Sequence, residues 1–383
     1  MEAEEATDGR FRVRQEVNRG PGASQGLDSA HMAIERLVSP AADPAAREDQ
    51  PNWSLRPTRL HEYIGQHDLI QRLNITIAAV RARKGEPLEH ILLHGPPGLG
   101  KTTLAHVIGA EMASKVYATS GPALTRGTDL VSALTRLETG DILFIDEIHR
   151  LPVAVEEFIY PAMEDYRIDV PVDSGLHART VQIQLKPFTL IGATTRAGLI
   201  SSPLRSRFGL THNLRYYDPA ELLTILTRSA GLLNVPTDGP GARGGPALEL
   251  IAARSRGTPR IANRLLRRVR DFVQVKADGV IRAKLVEQAL ALEGVDALGL
   301  DELDRTYLRI ISSTYSGGPV GLEAVAATMN QDAGTLEDVV EPYLLQIGFL
   351  ARTRRGRMLT KAAADHLGLP APTPLNESNA LLE

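Results

Sequence analysis

The sequence predicts a mixed α/β chain: a parallel sheet covered by helices, then a helical region, then three helices and a hairpin. Three observations predict it. From Leu55 to Thr211, apolar strand candidates (Ile91 to Leu93, Ile142 to Ile145, Thr189 to Ala193) alternate with helical stretches, the pattern of strands joined by crossover helices. After Asp218-Pro219 the chain reads as helical to about Glu293, the proline suiting a first helical turn. From Asp301 onward, three helical segments precede two short strand-like runs around a basic turn.

Composition bounds the reading. The 383 residues leave room for two or three domains, and 43% apolar content suffices for packed cores. A net charge of −3 means that any nucleic-acid contact must come from a local patch. With no cysteine, disulfides, thiolate zinc sites and cysteine nucleophiles are excluded, which suits a reducing cytosol. No apolar stretch approaches the roughly 18 residues of a membrane span, and the N-terminus lacks a basic-then-apolar signal pattern. The expectation is a cytoplasmic protein with no membrane segment.

Taken in order, residues 1–50 mix Glu, Asp, Arg, Gly and Pro without periodicity and read as a flexible extension. Residues 51–217 form the sheet-bearing domain and 218–298 the helical one, the latter interrupted between Pro236 and Pro246, where seven of eleven residues are Gly or Pro. Residues 299–369 carry helices over Glu302 to Ser313, Gly321 to Met329 and Thr335 to Gln346. Thr335 and Asp338 resemble a capping box. A hairpin over Phe349 to Arg352 and Met358 to Lys361 follows, giving the order of a winged-helix domain. Residues 370–383 read as a loose tail.

The first strand runs into Gly95-Pro-Pro-Gly-Leu-Gly-Lys101-Thr102, which satisfies every fixed position of a phosphate-binding loop. Gly95, Gly98 and Gly100 let backbone N–H groups wrap a phosphate at a helix N-terminus. Lys101 then reaches the terminal phosphates and Thr102 holds Mg²⁺. The second strand ends in Asp146 and Glu147, at the sheet edge where parallel α/β folds bind ligands. Asp146 is expected in the Mg²⁺ shell, and Glu147 is expected to orient the attacking water. His149 reads as structural rather than catalytic. The third strand ends in Thr194-Thr195-Arg196, placing Thr195 where it can sense the γ-phosphate.

Arg205 and Arg207 lie two residues apart after Pro203. Spacing alone leaves two readings: charge supplied to a neighbour's γ-phosphate, or a pair of surface salt bridges. In the helical domain Arg260, Arg264 and Arg267 share one face, and Arg260, held at the first turn by Pro259, is the candidate to reach nucleotide. Arg352, Arg354, Arg355 and Arg357 crowd the hairpin turn as a phosphate-binding surface or a solvated charged turn. Glu337, Asp338 and Glu341 on the preceding helix would be repelled by a DNA groove, so the wing is expected to make the contact, without sequence preference.

These motifs, with Phe144 to Arg150, Gly192 to Gly198, Ser202 to Gly209, Arg256 to Arg264 and Gly317 to Leu322, resemble the RuvB family of Holliday-junction branch-migration motors from about Leu55 to Gly368. The resemblance implies an AAA+ P-loop NTPase core, a helical lid and a C-terminal winged-helix domain. It also implies an ATP- and Mg²⁺-dependent translocase whose homohexameric rings encircle duplex DNA at a Holliday junction held by RuvA, with RuvC in the resolving complex. By position, Leu55, Arg56, Tyr63 and Ile64 would surround adenine, and Gly98, Lys101, Thr102 and Thr103 would hold the phosphates. Thr195 and Arg260 match two sensors and Arg207 an arginine finger. Glu164, Asp165, Tyr166 and Tyr217 fall at nucleotide-associated positions, and Arg352 and Arg357 match DNA contacts of the wing. Ile168/Val170 and Val181 to Ile183 frame a hairpin, residues 165–188, with Asp173-Ser-Gly175 at its turn. In the family this hairpin docks on RuvA; packing on its own domain is the other reading. A clamp-loader-like or protein-remodelling ATPase and a nucleotide-gated DNA-binding regulator without turnover are the functional alternatives.

Overall fold

A computed structural model describes residues 55–83, 86–171, 180–239 and 245–370. The extension at 1–50, the hairpin turn at Asp173 to Gly175, the middle of the Gly-Pro insertion and all but the first residue of the tail lie outside the described residues.

Five parallel strands form the central sheet in the order β2 (Val116–Ser120), β3 (Ile142–Asp146), β6 (Thr189–Thr194), β1 (Ile91–His94), β7 (Leu210–Asn213). β1, β3 and β6 are apolar runs buried on both faces, as expected of strands covered by helices. One face packs with α1 (His67–Ala82), which buries Leu69, Leu73, Ile77 and Val80, and with α2 (Lys101–Met112). The other packs with α3 (Gly127–Leu134) and α4 (Val153–Glu164). Because β1, β3 and β6 are adjacent, the C-terminal ends of all three strands that carry motifs fall side by side.

β4 (Arg167–Pro171) and β5 (Thr180–Gln184) make the separate antiparallel hairpin, in register through Ile168 with Ile183 and Val170 with Val181. Its base is packed on its own domain, with Ile168 fully buried, while Val181 is exposed. The reading of a hairpin packed on its own domain thus holds at its base.

After the short α5 (Ser202–Ser206), the lid comprises α6 (Pro219–Leu232), α7 (Pro246–Ala253), α8 (Pro259–Lys276) and α9 (Ala283–Leu292). Pro219 stands in the first turn of α6, and Asp218 and Glu221 cap each other reciprocally. Pro246 likewise opens α7 at the end of the Gly-Pro stretch. The lid's buried face joins the same apolar cluster as α1 and α2.

The last domain has its own core around Tyr307, Leu308, Ile311, Leu336 and Leu344. Its helices are α10 (Glu302–Thr314), α11 (Leu322–Met329), α12 and α13 (Lys361–Leu367). α12 begins at Ala333–Thr335, widens into a π-helical turn over Leu336–Val340 and ends as Glu341–Gln346. Pro342 explains the widening, since it lacks an N–H and its ring would collide with the carbonyl four residues back. The cap is Asp332, whose carboxylate accepts from Thr335 N–H at 2.8 Å. The Thr335/Asp338 capping box expected from sequence is not formed, because the helix already begins at Ala333 and Thr335 has helical backbone; Asp338 pairs with Arg196 instead. The wing strands are β8 (Leu350–Thr353) and β9 (Gly356–Leu359). Lys361, expected at the end of the second strand, starts α13, because Thr360 Oγ1 accepts from Ala363 N–H and caps the helix.

Candidate active site

The loop between β1 and α2 is built to lie close to other backbone. Gly95, Gly98 and Gly100 have φ of 139°, 80° and 98°, a region that side chains disfavour. A Cβ on Gly95 would stand 2.6 Å from Leu214 O, and one on Gly100 2.7 Å from Tyr63 Oη. Lys101 is buried, and its ammonium donates to Gly95 O at 2.8 Å and Pro96 O at 2.9 Å. Burial lowers its pKa, and the nearby Asp146 and Glu147 oppose that shift.

Thr102 Oγ1 donates to Asp146 Oδ2 at 3.3 Å. A hydroxyl and a carboxylate oxygen suit Mg²⁺, which takes one or two protein ligands and completes its shell with water and phosphate. Burial, then Glu147, raises the Asp146 pKa against Lys101 and the Thr102 hydrogen bond.

Glu147 sits in left-handed backbone, φ 47°, where β3 breaks into a 3₁₀ turn. Its Oε2 accepts from Thr195 Oγ1 at 3.2 Å and lies 3.2 Å from His149 Nδ1. His149 Nδ1 is also 2.8 Å from Thr194 Oγ1, and burial lowers the imidazole's pKa first of all. His149 thus touches Glu147 and Thr194 directly. Arg260, at the start of α8, closes the loop from the lid side: its N–H donates to Gly98 O at 3.4 Å.

Tyr63 and Ile64 line a cavity of about 500 Å³ beside Arg215, Asp218 and Glu221. Tyr217 Oη lies within hydrogen-bond reach of both Leu99 O and Tyr63 Oη, at 3.3 Å each. The Leu55 and Arg56 carbonyls accept from Arg228 of α6, at 2.7 and 3.5 Å, so the lid also fixes the segment expected around adenine. Thr103 follows Thr102 in α2.

Arg207 is placed elsewhere. It lies 3.1 Å from Glu164 through Nε without an aligned hydrogen bond, donates to Pro203 O at 2.7 Å, and stacks 4.4 Å over Tyr160. Asp165 pairs with Arg167, and Tyr166 packs edge-on against Phe188. Glu164, Asp165, Tyr166 and Arg207 thus form a second group whose contacts are not with the phosphate loop of their own chain. Arg205 reaches the Ala197 carbonyl.

At the wing, Arg352 and Arg357 converge on Glu341, whose side chain is fully buried. Arg352 donates to Oε2 at 2.9 Å through Nε and again through Nη2, and Arg357 donates to Oε1 at 2.8 Å. Tyr307 Oη also donates to Oε1, at 2.5 Å. Gly356, φ 139°, lets β9 lie against Val320, where a Cβ would be 2.4 Å from the Val320 carbonyl.

Family models match nearly all of the described chain: "Holliday junction DNA helicase RuvB P-loop domain" over 55–214, "RuvB AAA lid domain" over 217–296 and "RuvB C-terminal winged helix domain" over 297–368. The chain belongs to the RuvB family. It is 55% identical over 346 residues to Holliday junction branch migration complex subunit RuvB 2 of Synechococcus sp. strain JA-3-3Ab, covering 90% of this chain and 91% of that one. The subunit from Kosmotoga olearia is 55% identical over 322 residues, 84% of this chain and 92% of its own. The Thermotoga maritima RuvB Holliday junction branch migration motor superposes with a TM-score of 0.75 at 50% identity, covering 83% of this chain and 100% of that one. Membership of the RuvB family makes the chain an AAA+ P-loop ATPase and a branch-migration motor.

Two arginines with a place near the site carried no role in the sequence reading. Arg196, directly after Thr195, donates to Asp338 Oδ1 at 2.7 Å. Arg256, before the Arg260 turn, is buried and donates to Gly299 O at 2.7 Å beside Asp301 and Asp304. Their acidic partners lie in the third domain, so no local signal could reveal the pairing.

Proposed function

We propose that this chain hydrolyses ATP with Mg²⁺ at a cleft completed by a second copy of itself, and uses the energy to draw duplex DNA through a Holliday junction. The observation that carries the reading is convergence. Lys101, Thr102, Asp146, Glu147, Thr195 and Arg260 come from four segments and meet at adjacent strand ends and the lid helix. Lys101, with Gly98, Thr102 and Thr103, holds the phosphates; Thr102 and Asp146 hold Mg²⁺, which supplies charge neutralisation on the phosphates when bound. Glu147, steadied by Thr195 and His149, orients the attacking water. Arg260 contacts nucleotide from the lid, and Leu55, Arg56, Tyr63, Ile64 and Tyr217 surround the base.

Arg207, Glu164, Asp165 and Tyr166 act on the nucleotide of the next protomer, which accounts for their separation from the loop of their own chain. Arg352 and Arg357 meet DNA phosphates without reading bases. The assembly is a homohexameric ring in the cytoplasm, docked on RuvA through the 165–188 hairpin with Val181 on the exposed side, and joined by RuvC in the resolving complex. The domain limits are those given above: 51–217, 218–298 and 299–369.

The test is particle imaging of the protein with ATP, Mg²⁺ and a four-way junction, alone and with RuvA. Rings on opposite arms are expected. Monomers that hydrolyse ATP at the same specific rate at every protein concentration would sink the shared cleft.

A further inference from the structure

Arg196 is joined by the chain to the sensing threonine, and its backbone N–H donates to Thr194 Oγ1 at 2.9 Å. Its side chain leaves the nucleotide domain altogether. Nε donates to Asp338 Oδ1 at 2.7 Å, and Nη1 lies 3.1 Å from Glu337 Oε2, both on the π-helical turn of α12. The other Glu337 oxygen faces the wing: Oε1 is 3.5 Å from Arg352 Nη2 and 3.9 Å from Arg357 Nη2. One carboxylate thus stands between a guanidinium adjoining the hydrolytic site and the two guanidiniums read as DNA contacts.

A second tie, from the lid to the same last domain, is of a different kind. Arg256, only 6% exposed, lies 2.9 Å from Asp301 and 2.5 Å from Asp304. Opening it would leave a buried charge uncompensated, which is strongly unfavourable, so it acts as a fixed joint. Around Glu337 the side chains are partly in water, with Arg196, Glu337 and Asp338 29%, 31% and 39% exposed. Partners there exchange at small cost. A π-helical turn, common at functional sites, carries the exchangeable acids.

We propose that Arg196 is a positioning residue for hydrolysis, and that Glu337 is shared between it and the wing. DNA phosphates draw Arg352 and Arg357 away from Glu337. Glu337 then holds Arg196 more firmly, which fixes Thr195 and, through its hydroxyl, the Glu147 carboxylate. The inference rests on the reading of the wing as the DNA contact and of Glu147 as the hydrolytic residue.

The test measures steady-state ATP hydrolysis by the full chain with and without duplex DNA, beside duplex affinity by fluorescence anisotropy. In Arg196→Gln the stimulation by duplex is expected to fall toward a ratio of about 1, and Arg196→Lys, which keeps a cation within reach, is expected to retain most of it. Glu337→Gln is expected to move the two readouts in opposite directions: duplex binding tightens by roughly two- to fivefold as the wing loses a competing carboxylate, while stimulation drops. A merely structural contact would not tighten one and weaken the other. Combining Arg196→Gln with Glu337→Gln is expected to add no further loss of stimulation. If the parent responds to duplex and Arg196→Gln responds equally, the relay alone is overturned. If the parent does not respond to duplex at all, the reading beneath it falls too, and the relay with it.

Discussion

The two cationic surfaces proposed to meet phosphate, the loop and the wing, hold their charges differently. At the loop, Lys101 rests on two neutral carbonyls, Gly95 O and Pro96 O. At the wing, Arg352 and Arg357 rest on a buried carboxylate, Glu341, with Glu337 beside it. A neutral acceptor gives up a cation readily to an incoming phosphate, whereas a carboxylate competes for it. On the proposed function, the loop is therefore expected to bind tightly and stay bound, and the wing to make and release contacts as duplex moves past. In that sense the acids of α12, which sequence cast only as a source of repulsion, are expected to set the strength of the grip.

The loop side breaks most severely. Its own chain supplies Lys101, Glu147 and Arg260 but keeps Arg207 with Glu164 and Tyr160, so Arg207→Ala is expected to lower kcat by about 10³-fold or more. Adding Glu147→Gln protein, which is expected not to hydrolyse but still carries Arg207, is expected to restore part of that rate. Phosphate release from titrated mixtures measures it. Full-speed hydrolysis by Arg207→Ala alone would show that charge at the γ-phosphate comes from within one chain.

On the wing side, Arg352→Gln with Arg357→Gln is the sharper change, because glutamine can still donate to Glu341 where alanine would strand a buried charge. Duplex binding is expected to weaken by roughly ten- to a hundredfold, equally across sequences, and its salt slope to fall by about two. Anisotropy titrations at several salt concentrations check both. A loss confined to particular sequences would mean that the wing reads bases.

The loop and the wing also differ in how far sequence revealed them. The phosphate loop and the strand end at Asp146 and Glu147 were legible because their signals are local: a strand, a glycine turn and a helix start lie within a dozen residues, and an apolar run ends in two acids. The wing arginines were legible as a charge cluster. Their partners were not, because Glu341 and Glu337 meet them only after three helices have folded, and Arg196 meets Asp338 across 142 residues. The mistaken Thr335/Asp338 capping box has a nearer origin. Asp332, three residues before Thr335, caps the helix and leaves Thr335 inside it, an earlier start that the apolar pattern does not mark. Strand ends were off by a few residues where a cap, Thr360, outcompeted the apolar pattern.

Glu341 itself separates stability from grip. Burial raises its pKa, but hydrogen bonds from Arg357, Tyr307 and Arg352 outweigh burial and hold it below its ordinary value of 4.5. A carboxylate lowered on folding stabilises above its unfolded value and loses that contribution as the pH falls through its folded one. The last domain is therefore expected to weaken below about pH 4.5. Glu341→Gln is expected to remove about 2–3 kcal/mol at neutral pH, the low end for breaking a buried pair because Arg352 is 43% exposed. Chemical unfolding at pH 7 and pH 4 checks the sign: the difference between parent and variant should shrink in acid. Protein that remains folded should bind duplex more tightly.

Tyr307→Phe gives the smallest effect and the finest comparison. The phenol is fully buried, burial first of all raises its pKa well above the ordinary range, and it donates to Glu341 Oε1 at 2.5 Å. It thus remains a donor at every working pH. Its loss removes one of three donor side chains from the carboxylate without changing any charge, an expected cost of about 1–2 kcal/mol. Oε1 then keeps Arg357 Nε as its donor, at 2.8 Å, and holds it harder. Duplex affinity should therefore weaken slightly, by about twofold or less, where Glu341→Gln strengthens it. Opposite signs from two substitutions that both destabilise the same domain would tie the wing's grip to its carboxylate rather than to the domain's stability; equal signs would leave the arginines governed by folding alone.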